Sequence, residues 1–298
     1  MYNSFDDIIR KAQSQAEKKK ICIANAESEK ILSLVRQIQE YGLAGIVLVT
    51  NEEKTREMAG QMNMDLEGLE LVDETDPCQI PLKAVELVSS GKADVLVKGN
   101  MNSSDFLRAV LDKEVGLRTG AKLSVLTCYE VPSVDKLFFL TDGGMVVAPS
   151  LEEKKTLLTH AVSVLQNMGI EEPRVAILSA NEKVSPKIPS TVDAAALCEM
   201  AVEGKLPRGI YEGPIAFDVA MRPEAAAEKG IDSRVSGNVD LFLVPNVETG
   251  NCLGKAIGYF GGGDTAGIVI GASRPVVMSS RGASLRGKLT AVAWALLA

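Results

Sequence analysis

Residues 93–114 read ADVLVKGNMNSSDFLRAVLDKE. A continuous apolar run ends in Lys98-Gly99, a short polar stretch follows, and from Ser103 the apolar residues recur at helical spacing. This pattern predicts a strand over 93–99 and a helix over 103–114, with Ser103 or Ser104 as the cap. A strand apolar at every position belongs in a parallel sheet covered on both faces.

The same unit recurs in both directions along the chain. Upstream, KKICIANA (strand near 20–25), GIVLVT (45–50) and LELVD (69–73) alternate with helical stretches at SEKILSLVRQIQEYG, NEEKTREMAGQM and PLKAVELVSSG. Downstream come KLSVLTCYE (122–130) and KLFFLTD (136–142), expected either to pair as a hairpin or to flank a domain crossing. A helix over 151–168, strands over 174–180, 208–214 and 239–246, a glycine-rich helix at GNCLGKAIGYFGGG, two strands within 266–280 and a final helix with Trp294 complete the chain. Strand, helix and strand in repetition is the signature of an α/β protein. At 298 residues the chain is long enough for two lobes. The expected division is a discontinuous first lobe, 1–135 with 271–298, and a second over 136–270. The final helix is expected on the first lobe.

Composition excludes several classes of function. The net charge of -7, from 32 basic and 39 acidic residues, argues against a nucleic-acid partner, whose phosphates call for a basic surface. Five cysteines, at 22, 78, 128, 198 and 252, form no CxxC pair, so no metal site is expected. No run of 18 apolar residues and no secretory leader is present, so no membrane partner is expected and the cytoplasm is the expected compartment. The only histidine, His160, lies inside the helix expected at 151–168 and reads as structural or surface.

Five segments sit where α/β proteins place chemistry, at carboxyl ends of strands and starts of helices. The first holds Lys98 and Gly99, then Ser103 and Ser104, with Arg108 one helical turn on. The second is GLRTG, where two glycines bracket Arg118, whose forked donors suit phosphate or carboxylate. The third, SANEKVSPKIPST at 179–191, carries Lys187 among hydroxyls and prolines. The fourth places Asn246, Gly250 and Asn251 at a helix start. The fifth places Ser280 and Arg281 where a strand ends. Each also reads as an ordinary turn, cap or packing contact, and the pattern alone leaves both readings open. Neither GxGxxG nor a P-loop occurs.

Taken together and in order, VLVKGNMNSSDFLRAVLDKEVGLRTG, LSANEKVSPKIPSTVDAAALCEMAVEG, IYEGPIAFDVA, VPNVETGN and SSRG resemble the phosphate acetyl- and butyryltransferase family, closest to its butyryl branch. The resemblance runs from about residue 90 to 290. It implies two α/β/α lobes with a cleft between them, like the isocitrate and isopropylmalate dehydrogenases, and a homodimer or higher homo-oligomer. It implies acyl-CoA and inorganic phosphate as the partners, coenzyme A acting as substrate, with no tightly bound cofactor and no acyl-enzyme. On this resemblance Ser280, Arg281 and Arg108 are the catalytic set. Lys98, Gly99, Ser103, Ser104, Arg118, Lys187, Asn246, Gly250 and Asn251 are the binding set, and Lys98, Ser104, Arg108, Ser280 and Arg281 are expected on one anion.

Three positions depart from family patterns. Acetyltransferases resemble SRGxSxxD, and the aspartate position here is Gly287. Where they carry an arginine in the glycine-rich helix this chain has Tyr259, followed by Phe260, as in the butyryl branch. Butyryl-branch members often read LSH after the GLRTG turn, and here Val125 occupies the histidine position. The proton-transfer group is therefore unassigned. The competing readings are a phosphate acetyltransferase and a non-catalytic protein that binds coenzyme A or phosphate. A dehydrogenase would need a metal-binding acid cluster, which the sequence does not present.

Overall fold

A computed structural model describes residues 2–279 and 282–298. In chain order the elements are α1 (Phe5–Gln13), β1 (Lys20–Ala24), α2 (Glu29–Glu40), β2 (Gly45–Thr50), α3 (Glu52–Gln61), β3 (Glu70–Asp73), α4 (Gln79–Ser89), β4 (Val95–Lys98) and α5 (Ser103–Val110). There follow β5 (Ser124–Glu130), β6 (Phe138–Thr141), α6 (Leu151–Asn167), β7 (Arg174–Leu178), α7 (Pro189–Val202), β8 (Ile210–Ile215), α8 (Phe217–Met221), α9 (Pro223–Glu228), β9 (Leu241–Leu243) and α10 (Val247–Gly261). The chain ends with β10 (Asp264–Ile270), β11 (Val276–Val277) and α11 (Leu285–Leu297).

The chain divides into two compact units. The first comprises 4–121 and 266–297, the second 1–3, 122–265 and 298. The divisions fall at 121/122 and 265/266 rather than at the expected 135/136 and 270/271. The reason is strand pairing. β5 joins β6 antiparallel, through Thr127↔Leu140 and Cys128↔Phe139, so residues 122–135 stay with the partner of their hairpin.

In the first unit the strand order is β3-β2-β1-β4-β11-β10, parallel except where β10 meets β11. Ile21, Cys22, Ile23 and Ala24 of β1 and Val95 and Leu96 of β4 are fully buried, as their unbroken apolar sequence requires. Crossovers between parallel strands are right-handed. The chain steps from β1 outward to β2 and β3, so α2 and α3 cover one face. It then returns through α4, which must cross the other face to reach β4, and α4 packs on β1, β2 and β4. After β4 it turns toward the opposite edge, where Arg118 forms a bridge with Ala272. The ends of β1 and β4 are thus a topological switch point, the place where open α/β sheets leave a crevice. Trp294 is fully buried, and α11 packs on α1 and α2 within this same unit, as expected for the final helix. Arg286 ties it to α1 through Asp6 at 3.1 Å, with its guanidinium 5.3 Å over the Phe5 ring.

In the second unit the order is β5-β6-β9-β7-β8, parallel apart from the β5–β6 pair. Its core includes Tyr129 stacked on Phe138 at 5.3 Å, with Phe242 edge-on to Phe138 at 5.6 Å. Asp240 is buried but paired with Lys136 at 2.5 Å, which offsets the cost of removing a carboxylate from water. Both units are α/β with buried strands, matching the expected class.

Two elements differ from the sequence reading. The helix expected over 103–114 stops at Val110. Asp112 accepts the Glu114 and Val115 N–H groups at 2.8 and 3.0 Å, trading helical bonds for a side-chain turn. The five-residue α8 is too short to show periodicity. No helix of the described residues is long and apolar enough to cross a membrane.

Candidate active site

The site grows from the switch point of the first unit. Gly99 donates to Ala24 O at 3.0 Å and Asn100 to Asn25 O at 2.9 Å, extending the β1–β4 ladder past the end of β4. The Asn100 side-chain amide donates to Glu27 O at 2.7 Å. These bonds pull the segment after β4 against the segment after β1. Only glycine fits at 99, since a Cβ there would stand 1.9 Å from Asn25 O and 2.4 Å from Ala24 O.

Beside this seam lies a cavity of about 450 Å³. Among the described residues its cationic lining is Lys30, Lys98 and Lys288, and none of the described lining residues is acidic. Ser28 and Ser279 add hydroxyls. Ile31, Leu34, Val97, Met101 and Val277 supply apolar lining. Ser28 is the cap residue of α2 but makes no side-chain cap bond, so its hydroxyl is not committed to the helix. Ser284 caps α11, accepting the Gly287 N–H at 2.8 Å. Lys288, one residue on, is only 9% exposed. Burial pushes its amine below the usual lysine range, and the neighbouring cation Lys30 pushes it the same way.

Lys98 and Gly99 of the expected set line this cavity, and Asn102 lines it immediately before Ser103 and Ser104. Those two serines are exposed in the first turn of α5. Arg108 is not among the lining residues. Its guanidinium holds Asp105 at 3.0 Å with the side chain 77% exposed. Arg118 is exposed in a turn held by Thr119 Oγ1 donating to Gly271 O at 2.7 Å. Ser280 and Arg281 lie outside the described residues, between β11 and α11. Sequence reasoning missed Lys30 and Lys288. The signal for Lys288 was a cation standing directly before an all-but-apolar helix, LTAVAWALLA.

The second unit holds the remaining expected residues. Asn246 caps α10, accepting from Thr249 N at 2.9 Å and Thr249 Oγ1 at 2.6 Å. Gly250 packs backbone to backbone, since a Cβ there would lie 2.7 Å from Gly143 Cα. Asn251 donates to Gly143 O at 3.2 Å. The loop that Gly143 belongs to is organised by buried Asp142, which accepts the N–H groups of Val125, Gly144 and Met145 at 3.0, 2.6 and 2.8 Å. Val125 thus serves this loop through its backbone. In the 179–191 loop, Thr191 Oγ1 accepts from Ser185 N at 2.9 Å and Ser179 and Ser190 hydroxyls bond at 2.7 Å. Lys187 is exposed there. His160 is half-buried on α6, its Nδ1 without a hydrogen-bond partner, and burial lowers its pKa. Among the described residues no three His, Cys, Asp or Glu side chains cluster as metal ligands.

Comparison with known proteins defines the class as acyltransferase. The chain matches the family described as "Phosphate acetyl/butaryl transferase" over residues 4–80 and 75–296. It is 42% identical over 297 residues to a phosphate butyryltransferase of Clostridium acetobutylicum, covering 100% of this chain and 98% of that one. It is 38% identical over 295 residues to a phosphate acetyltransferase of Rhizobium meliloti, covering 99% and 93% respectively. Its fold superposes on a branched-chain phosphotransacylase from Enterococcus faecalis with a TM-score of 0.83 at 28% identity, covering 94% of this chain and 98% of that one. The chain belongs to the phosphate acetyl/butyryl transferase family.

Proposed function

We propose that this protein is a phosphate butyryltransferase, catalysing acyl-CoA + phosphate ⇌ acyl phosphate + CoA on a short acyl group. The observation that carries this reading is the cavity at the β1–β4 switch point, whose lining combines lysines and hydroxyls with apolar side chains. A phosphate group meets cations and helix starts there, and a short hydrocarbon chain meets Ile31, Leu34, Val97 and Met101. At about 450 Å³ the cavity has room for more than an acetyl group beside phosphate. Ser280 and Arg281 follow directly on Ser279 of the lining, so they are assigned to the reacting carbonyl. Arg108, Ser103, Ser104 and Arg118 are assigned to the substrate phosphates. Lys187, Asn246, Gly250 and Asn251 are assigned to the second unit's share of substrate binding, with Asn246 and Gly250 acting by shaping the start of α10.

The reaction needs no resident cofactor, since coenzyme A enters and leaves as substrate, and the cytoplasm is the compartment this reading assigns. A homodimer belongs to the same reading. Tyr259 and Phe260, 88% and 93% exposed on α10, are an apolar surface that such an assembly would cover.

Chain-length preference tests the butyryl assignment. A methylene fitted into an apolar pocket changes selectivity by about 1–3 kcal/mol. Butyryl-CoA, with two more methylenes than acetyl-CoA, is therefore expected to show kcat/KM about 30-fold higher or more in a CoA-release assay with phosphate present. Acetyl-CoA turned over as well as butyryl-CoA would move the assignment to phosphate acetyltransferase. Binding of coenzyme A without turnover of any acyl-CoA would move it to a non-catalytic role.

A further inference from the structure

We propose that Lys288 is the group that takes the thiol proton of coenzyme A, the role left vacant by Gly287 and Val125. The inference rests on the acyltransferase reading above and adds to it a catalytic residue that the family motifs do not mark.

Four observations place it there. Lys288 lines the cavity together with Lys98, Gly99 and Ser279, the last immediately preceding the Ser280-Arg281 pair. It stands on the first turns of α11, whose positive end disfavours an added positive charge. Its side chain is about nine-tenths buried. The charged groups on the elements packed around it do not compensate a charge. α2 presents Lys30 and β4 presents Lys98 to the cavity, and β11 has no charged residue. On α1, Asp6 is held by Arg286 and Asp7 by Arg10. Glu29, in the first turn of α2, is exposed and does not line the cavity. A buried amine beside the cation Lys30, in a cavity with no carboxylate among its described lining, is held toward its neutral, proton-accepting form, in line with the downward direction of its pKa.

In the direction that makes acyl-CoA, the coenzyme A sulfur attacks the acyl-phosphate carbonyl and its proton passes to Lys288 Nζ. The new C–S bond forms, the C–O bond to phosphate breaks, and phosphate leaves with the bonding pair. In the opposite direction phosphate attacks the thioester, and the Lys288 ammonium returns the proton to the departing thiolate. No oxidant, reductant or third reactant is required.

The test is turnover of butyryl phosphate and coenzyme A against pH, for wild type and for Lys288→Met, Lys288→Gln and Lys288→Arg. At pH 7 the Met and Gln variants are expected to lose about 100-fold or more in kcat, the range for a positioned general base. Arginine keeps the charge but cannot give up its proton, so Lys288→Arg is expected to fail as well. The loss should shrink as pH rises and free thiolate replaces the missing base. Wild type should show a rate limb below the ordinary thiol pKa, a readout that does not depend on any variant folding. Near-wild-type turnover in Lys288→Met, restoration by Lys288→Arg, or a loss constant across pH would overturn the proposal. A wild-type enzyme that turns over neither substrate would instead overturn the acyltransferase reading on which it rests.

Discussion

Arg281→Ala is expected to lower kcat by about 10²–10³-fold, corresponding to roughly 2.7–4 kcal/mol of transition-state stabilisation, the cost of losing one strong oxyanion donor. In either direction a nucleophile adds to an acyl carbonyl, and negative charge grows on its oxygen while phosphate charge lies nearby. A guanidinium held in place stabilises that charge without being consumed, and its fork can bridge carbonyl and phosphate oxygens together. In sequence Arg281 lies between Ser279 and Lys288, both of which line the cavity. Circular dichroism and melting of the variant should stay close to wild type, because the buried core of this unit is complete without it, from Ile21 to Trp294. Turnover near wild type, or activity lost only through unfolding, would remove Arg281 from the mechanism.

Gly99→Ala is expected to be the most damaging small substitution in the first unit. The added Cβ would meet Asn25 O at 1.9 Å, Ala24 O at 2.4 Å and Asn25 C at 2.8 Å. All three are backbone atoms of the segment ending β1, so no side chain can swing aside. Overpacking a close-packed core costs about 1–3 kcal/mol when side chains adjust. Here two chain segments bonded through Gly99 N and Asn100 N must part, so at least about 3 kcal/mol is expected. That corresponds to a fall in Tm of about 6–12 °C for a unit of about 150 residues, the size of the first unit. Activity should fall with it, because the same seam forms the cavity wall. Gly91→Ala is the control. Its φ of +76° strains an alanine but the added Cβ meets nothing within 4 Å, so its cost should be about 1–2 kcal/mol, the penalty for a left-handed residue alone. Equal Tm losses in the two variants would refute the steric account.

The strands were legible in the sequence because parallel strands buried on both faces are unbroken apolar runs. GIVLVT and RVAIL can be read by eye and appear as β2 and β7. The switch point was partly legible, since Lys98-Gly99 ends such a run. What could not be read was which distant segments meet it. Lys30 and Lys288 are separated by 258 positions and come together only because α2 and α11 pack against each other. At Gly250 the sequence left open a ligand contact and a packing contact, and the glycine allows a close approach by the backbone of Gly143. Spacing alone cannot tell a ligand from a neighbouring chain. The position of the compact-unit division was illegible for a similar reason. β5 and β6 are adjacent in sequence under either division, and only their pairing shows that they belong together.

Passage of an acyl group between coenzyme A and phosphate is measured most directly by following both products at once. Butyryl-CoA is incubated with enzyme and hydroxylamine as trap, with and without inorganic phosphate, and free coenzyme A and acyl hydroxamate are counted. The expected result is coenzyme A and hydroxamate in a ratio of about one to one, formed at enzymic rates only when phosphate is present. Coenzyme A released equally without phosphate, or no hydroxamate from any short acyl-CoA, would contradict the assignment.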